Sequence, residues 1–164
     1  MTTLRRELEA VEAVVGDPSR GIPEEVLRFV SRLVPQVNVD LLIRDERGRT
    51  LLTWRDDDLF GPGWHLPGSL IRFKERAAVR VHACAMDELG ADVAAEPVPI
   101  FVNEAISPQE TRGHHVSLLY RCRLLTAPDP AREAGASPRA GDWRWHDGPP
   151  TDLIDIHRPY AAFM

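Results

Sequence analysis

Between Val37 and Ile43 the chain alternates, with Val37, Val39, Leu41 and Ile43 on one side and Asn38, Asp40 and Leu42 on the other. A period of two predicts a strand that buries one face. Glu46-Arg47-Gly48-Arg49 supplies a turn and Leu51-Leu52 starts a return strand, so Val37–Arg55 is expected to be a hairpin. His114–Leu125 alternates in the same way, with Val116, Leu118, Tyr120 and Cys122 sharing a face. Asp142-Trp143-Arg144-Trp145 is a further short strand with both indoles on one side. Helical spacing appears at the start of the chain, where Leu4, Leu8, Val11 and Val14–Val15 form a stripe ended by Gly16 and Pro18. Pro23 opens a second helical segment with Glu24 and Glu25 in its first turn and Val26, Leu27, Val30 and Leu33 as its stripe.

These elements divide the chain into an N-terminal helical extension, residues 1–34, and one α/β domain, residues 35–164. The extension is expected to be a helical pair packed on the core, or else an arm that joins two copies as a homodimer. Residues 126–141 are rich in Pro, Ala and Gly and read as a mobile loop. The C-terminal PPTDLIDIHRPYAAFM reads as a short packed helix and a tail.

Composition narrows the function. A chain of 164 residues with 43% hydrophobic content can bury a core of its own. No apolar run approaches the ~20 residues of a membrane span, and no charged-then-apolar leader opens the chain, so a cytoplasmic protein is expected. Cys84 and Cys122 form neither a disulfide framework nor a metal knuckle. A net charge of −5 argues against a sequence-independent nucleic-acid binder. It leaves a nucleotide ligand open, since a divalent cation neutralises phosphates locally.

The chemistry concentrates in WHLPGSLIRFKERAAVRVHACAMDELGA, Trp64–Ala91. A Gly-containing loop leads into a helix that ends on Asp87-Glu88-Leu89-Gly90. A loop that can approach a phosphate and a helix that projects carboxylates suit a metal-assisted diphosphate site. Cys84, Asp87 and Glu88 share a helix face at i, i+3 and i+4, but Mg²⁺ prefers oxygen, which leaves the two carboxylates. An acidic pair near a helix C-terminus opposes the macrodipole and so has no helix-stabilising reason to be there.

This stretch resembles the signature of Nudix hydrolases, G-x5-E-x7-R-E-U-x-E-E-x-G-U, laid without a gap on Ser69–Ala91. Glu75, Glu88 and Gly90 match, and Asp87 stands for the first Glu of the E-E pair. Ser69 replaces the opening Gly beside Gly68, and Ala83 and Cys84 replace the R-E pair. The flanks are similar to the GDP-mannose mannosyl hydrolase branch: an aliphatic strand with an R-G turn, an L-L-x-x-R ending, a W-x-x-P-G loop and a D-Y-R-W-like strand. The resemblance implies a Nudix fold, a mixed β-sheet core sandwiched between helices, with the N-terminal helices added to it.

It also implies a Mg²⁺-dependent hydrolase of a nucleoside diphosphate sugar or related compound. Glu88 would be the main metal ligand and catalytic carboxylate, with Asp87 and the Ser69 carbonyl as further metal ligands. In the GDP-mannose branch a Gln and a His from a Q-H-D-D-Y-R-W run complete the site. That run falls on Arg139–Trp145, where both residues are missing. His114 or Glu104 is then the expected base, since a neutral imidazole near pH 7 suits proton transfer. Arg55, Arg72 and Arg139 are the expected phosphate-binding residues, because a guanidinium presents a planar fork to phosphate oxygens. The missing residues keep a second class open, a Nudix-fold nucleotide-binding or protein-interaction module that does not catalyse.

Overall fold

In the computed structural model, which describes residues 2–164, the chain is a mixed α/β structure. Among the described residues the α-helices are α1, Thr3–Val15; α2, Glu24–Val30; and α3, Ala77–Leu89. The strands are β1, Gln36–Ile43; β2, Thr50–Arg55; β3, Gly63–His65; β4, Gly68–Leu70; β5, Val93–Ala95; β6, Phe101–Ile106; β7, His114–Leu124; and β8, Trp143–His146. A 3₁₀ helix, Asp155–Phe163, closes the chain. One sheet runs β4-β1-β7-β5, with β6 also paired to β7; the other runs β3-β2-β8.

The expected hairpin forms its turn but not its ladder. Asp45 ties the turn by accepting hydrogen bonds from the Arg47 and Arg49 amides. Beyond a single bridge between Arg44 and Thr50 the two strands part, β1 into one sheet and β2 into the other. β1 instead pairs in parallel with β7 from Gln36↔His115 to Ile43↔Cys122. From Val39 onward both faces of β1 are buried. Val39, Leu41, Ile43 and Leu51 pack against Val81, Cys84, Ala85 and Leu89 of α3. Leu42 packs on the far side with Leu52, Trp64, Leu66, Leu119, Leu153 and Tyr160, under the closing 3₁₀ helix. The sheets therefore lie between α3 and that helix, the sandwich that the sequence implied.

Other local expectations change in detail. Residues 126–141 hold only one 3₁₀ turn, Pro130–Arg132, yet the segment is fastened along its length. Asp129 N donates to the Leu89 carbonyl, Trp143 Nε1 to the Asp129 carbonyl, and Arg132 to the Gly141 carbonyl. In the extension, α1 is capped by Thr2 but buries none of its residues. Leu4, Leu8, Val11 and Val14 are 42–69% exposed, so this helix is not packed on the core as the pairing of helices suggested.

That difference is measurable. Leu41→Ala should cost about 2–5 kcal/mol, because a fully buried side chain leaves a cavity between β1 and α3. Leu8→Ser should change monomer stability by no more than about 0.5 kcal/mol. Urea unfolding of the two variants at one low protein concentration checks both.

Candidate active site

Alternation places the polar residues of three neighbouring strands on one inner face. Asn38 and Asp40 of β1, Asn103 of β6, and His115 and Ser117 of β7 line a small cavity of about 110 Å³. Arg55, Gly68, Ser69, Glu88, Arg112 and His157 complete it. Carboxylates and cations thus meet in one recess, an arrangement suited to binding an anion and acting on it.

Asp40 is 1% exposed. Tyr160 donates its hydroxyl proton to Asp40 Oδ2 at 2.5 Å, and Asn38 Nδ2 donates to Oδ1 at 3.1 Å. Burial nonetheless raises its pKa to about 6, because desolvation outweighs those hydrogen bonds. The neighbouring β4 backbone can approach only because residue 68 is glycine: a Cβ there would lie 2.4 Å from Asp40 Oδ1.

Glu88 reaches the same Gly68 from the last turn of α3. Gly68 N donates to Glu88 Oε1 at 3.3 Å, and the Thr53 hydroxyl is 3.0 Å from Oε2. The helix stops directly after it, where Gly90 takes a left-handed φ of 63° and its N–H caps the Ala85 and Met86 carbonyls. Desolvation raises Glu88 to a pKa of about 7.

A proton count explains why this carboxyl favours its neutral form. His65 Nδ1 lies 2.7 Å from the Leu66 carbonyl and must donate to it, which leaves Nε2 as an acceptor. Burial keeps that ring neutral, with a pKa of about 3. Thr53 Oγ1 is 3.1 Å from His65 Nε2, so a single hydroxyl proton faces two acceptors. When Glu88 is protonated it donates to Thr53, Thr53 donates to His65, and every group is satisfied. When Glu88 is ionised, one acceptor goes without.

The histidines differ in availability. His157 Nδ1 accepts from the Leu66 amide at 3.0 Å, so its proton sits on Nε2, 4.0 Å from Asp40. His115 packs edge-on against Phe60 with centroids 5.7 Å apart, and among the described residues its ring makes no hydrogen bond. Burial and the nearby Arg112 lower its pKa, so it faces the cavity as a free base.

Of the residues singled out from the sequence, Glu88, Ser69 and Arg55 meet in this cavity. Arg72 and Asp87 line an adjoining groove, where Asp87 is exposed and 3.8 Å from Arg80. His114 and Glu104 pair with each other at 3.2 Å, on the opposite face of their strands from His115 and Asn103. Arg139 is 82% exposed and lies 3.7 Å from Asp142, outside the cavity. Arg80 is a residue that the sequence reading passed over. It is 2% exposed and holds Glu75 at 2.8 Å, so a guanidinium one turn before Ala83 occupies the helix face of the missing signature Arg.

Among the described residues, no cluster of three or more His, Cys, Asp or Glu side chains is arranged to hold a metal ion. Mg²⁺, however, is commonly bound through one or two carboxylates, with substrate phosphates and water filling its remaining positions. Asp40 and Glu88, on either side of Gly68, are hard oxygen donors held in a site that penalises their charge. They fit a cation that arrives with phosphate ligands, and they do not form a closed cage. Ser69 lines the same space from β4, where its pairing with Val39 commits its backbone to the sheet.

No family model matches the chain. A stretch of 79 residues is 34% identical to the low-salt glycan biosynthesis protein Agl8 of Haloferax volcanii, covering 48% of this chain and 50% of that protein. The match thus spans about half the length of its curated relative. Among solved structures, a MutT Nudix hydrolase from Burkholderia pseudomallei superposes with a TM-score of 0.59 at 23% identity, over 79% of this chain and 97% of that one. A possible asymmetric diadenosine tetraphosphate hydrolase from Jonesia denitrificans gives 0.53 at 25% identity, over 70% and 77%. An ADP-ribose pyrophosphatase from Streptococcus suis gives 0.53 at 20%, over 79% and 86%. The fold is that of the Nudix hydrolases.

The neutral form of Glu88 has a thermodynamic signature. A carboxyl whose folded pKa lies above its unfolded value destabilises the fold as pH rises through that interval. Here the interval runs from 4.5 to about 7. Glu88→Gln mimics the protonated state. Without divalent metal it should melt a few degrees above the wild type at pH 8, and the difference should shrink as pH falls and vanish below the unfolded value of 4.5. A thermal-melt series in EDTA checks this; equal melting temperatures at pH 8 would remove the proton-count argument.

Proposed function

We propose that the chain is a Mg²⁺-dependent hydrolase of a nucleoside diphosphate derivative, a nucleotide sugar being the preferred class. The observation that carries this reading is the single cavity in which Asp40 and Glu88 face Arg55, Arg112 and His115. Two carboxylates suit a divalent cation, and two guanidiniums suit the phosphates it accompanies. The solved structures of similar fold include proteins described as acting on diadenosine tetraphosphate and ADP-ribose, which supports the diphosphate-derivative class. The partial match to a glycan-biosynthesis protein, together with the flanking segments that resemble the GDP-mannose branch, favours a sugar on the far side of the diphosphate.

Asp40 and Glu88 would hold the cation, which when bound stabilises negative charge on the leaving diphosphate. Arg55 is aligned by Asp57 at 2.5 Å and lies over the Phe60 ring, 5.2 Å from its centroid, so its fork enters the cavity in a fixed orientation. His115 is the group best placed to take a proton from attacking water, because its ring is neutral and uncommitted. His157 and Tyr160 orient Asp40 through its Oδ2 side. Excluding solvent from this cavity strengthens each of these interactions.

Incubation with Mg²⁺ and a panel of GDP-, UDP- and ADP-sugars tests the reading. Turnover should require Mg²⁺ and fall at least 100-fold in Glu88→Gln. His115→Ala should lower kcat by 10²–10⁴-fold, in the range of a lost general base, while KM changes little. Free sugar with nucleoside diphosphate would place attack at the anomeric carbon, whereas a nucleoside monophosphate would place it at phosphorus. Absence of turnover on every substrate, with nucleotide binding retained, would identify a binding module instead.

We further infer that α1 joins two copies. Its stripe of Leu4, Leu8, Val11 and Val14 is an apolar face that nothing covers among the described residues, and a second copy of the helix would bury it. Light scattering should give twice the chain mass for the wild type and the chain mass for Leu8→Asp. A monomeric wild type overturns this assignment.

A further inference from the structure

The cavity is too small for the ligand proposed for it. At about 110 Å³ it can take a phosphate group but not a nucleotide sugar, for which pockets of ~300–1,000 Å³ are usual. A groove of about 910 Å³ opens directly beside it and shares Gly68, Ser69 and Arg112 with it. One wall belongs to the N-terminal extension, through Ile22, Leu27 and Val30; the other belongs to the β1–β4 edge, through Val37, Ile71 and Phe73.

Three polar atoms along the passage between the two spaces are buried without a hydrogen-bond partner. They are Asn38 Oδ1 in the cavity, Gln36 Oε1 in the groove and Arg112 Nε at the junction. Gln36 is 7% exposed. Buried polar groups are nearly always paired in native proteins, so a run of unpaired donors and acceptors marks a path that a polar ligand completes.

Arg112 is held for that purpose by the extension. It adopts a left-handed φ of 57°, a conformation that costs a non-glycine residue of order 1 kcal/mol or more and persists only when its surroundings enforce it. The enforcing contact is Ser31, whose hydroxyl accepts from the Arg112 amide at 2.9 Å and donates to the Arg28 carbonyl at 2.8 Å. Among the described residues Arg112 forms no ion pair, whereas Arg55 is already paired with Asp57. A half-buried guanidinium without an ion pair, between a carboxylate-lined cavity and an apolar groove, is suited to an anion that spans the two.

We propose that the groove binds the nucleoside end of the substrate, with Arg112 gripping the diphosphate at the junction and Ser31 positioning it. This rests on the nucleoside diphosphate reading above and assigns the N-terminal extension a part in the substrate site. Phe73 is 60% exposed on the groove wall and offers a ring face to a base, while Gln36 offers an acceptor to a base N–H. The inner cavity is left for the cation and the phosphate it accompanies.

Calorimetric titration of the full chain with Mg²⁺ present, using GDP, ADP, UDP and inorganic pyrophosphate, tests the assignment. The wild type should bind its preferred nucleoside diphosphate at least tenfold more tightly than pyrophosphate. Phe73→Ala removes an exposed ring without disturbing the core. It should weaken the nucleotide about three- to tenfold and leave pyrophosphate within twofold. Val30→Trp, which fills the groove, should do the same more strongly. Arg112→Gln should weaken both ligands at least tenfold. Ser31→Ala should weaken both several-fold, with Ser31→Thr restoring them, a pattern that a purely structural serine would not give.

Nucleotide affinity equal to that of pyrophosphate, or unchanged by Phe73→Ala and Val30→Trp, would overturn the groove assignment even if Glu88-dependent turnover is found. Nucleotide binding that responds to the groove variants without any turnover would sustain the groove and remove the hydrolase reading. No binding of any probe would overturn both.

Discussion

The buried carboxylate of Asp40 is the constraint on which the arrangement of this protein depends. An acid in the middle of a strand, between Val39 and Leu41 of the core, carries a desolvation penalty that the surroundings must offset. The offset comes from Asn38 on the same strand and from Tyr160, 120 residues away. The C-terminal 3₁₀ helix is thereby tied to the first strand of the sheet by a polar contact as well as by the apolar packing of Tyr160 with Leu42 and Leu119. The same carboxylate dictates a glycine at 68, and that glycine in turn brings the β4 backbone within reach of Glu88. The two carboxylates are adjacent because one of them leaves no room for a side chain between them.

Much of the architecture was legible in the pattern of apolar residues. The alternation of Val39, Leu41 and Ile43 and of Leu118, Tyr120 and Cys122 identified strands whose shared face packs on α3. What alternation could not convey is pairing. Two strands joined by a sound turn at Asp45–Arg49 read as a hairpin, and nothing local shows that β1 will take β7 as its partner. The polar side of β1 carried a similar ambiguity. Asn38 and Asp40 look like a solvated face, and only Leu42 on the same side hinted that the face is covered.

The site was legible where the signature survives and opaque where parity decides. Glu88, Ser69 and Arg55 line one cavity, while of the adjacent histidines the second, not the first, lines it with them. On a strand one residue of displacement reverses the face, so His114 turns toward Glu104 and His115 toward Asp40. Arg112 and Ser31 gave no signal at all in sequence. Their roles arise from a left-handed backbone and a contact between segments 81 residues apart.

The Glu75–Arg80 pair shows that a buried guanidinium can meet the acid at 75 from a position other than the one the written motif gives. Residues 80 and 83 are separated by three residues of helix, ~4.5 Å of rise, less than the reach of an arginine side chain. An arginine at either position could therefore reach the acid at 75. Selection acts on the occupied volume and the charge, so the letters are free to move along the helix. A column-by-column comparison records two substitutions there, whereas the structure keeps a guanidinium on the acid at 75 and gives up only the carboxylate at 84.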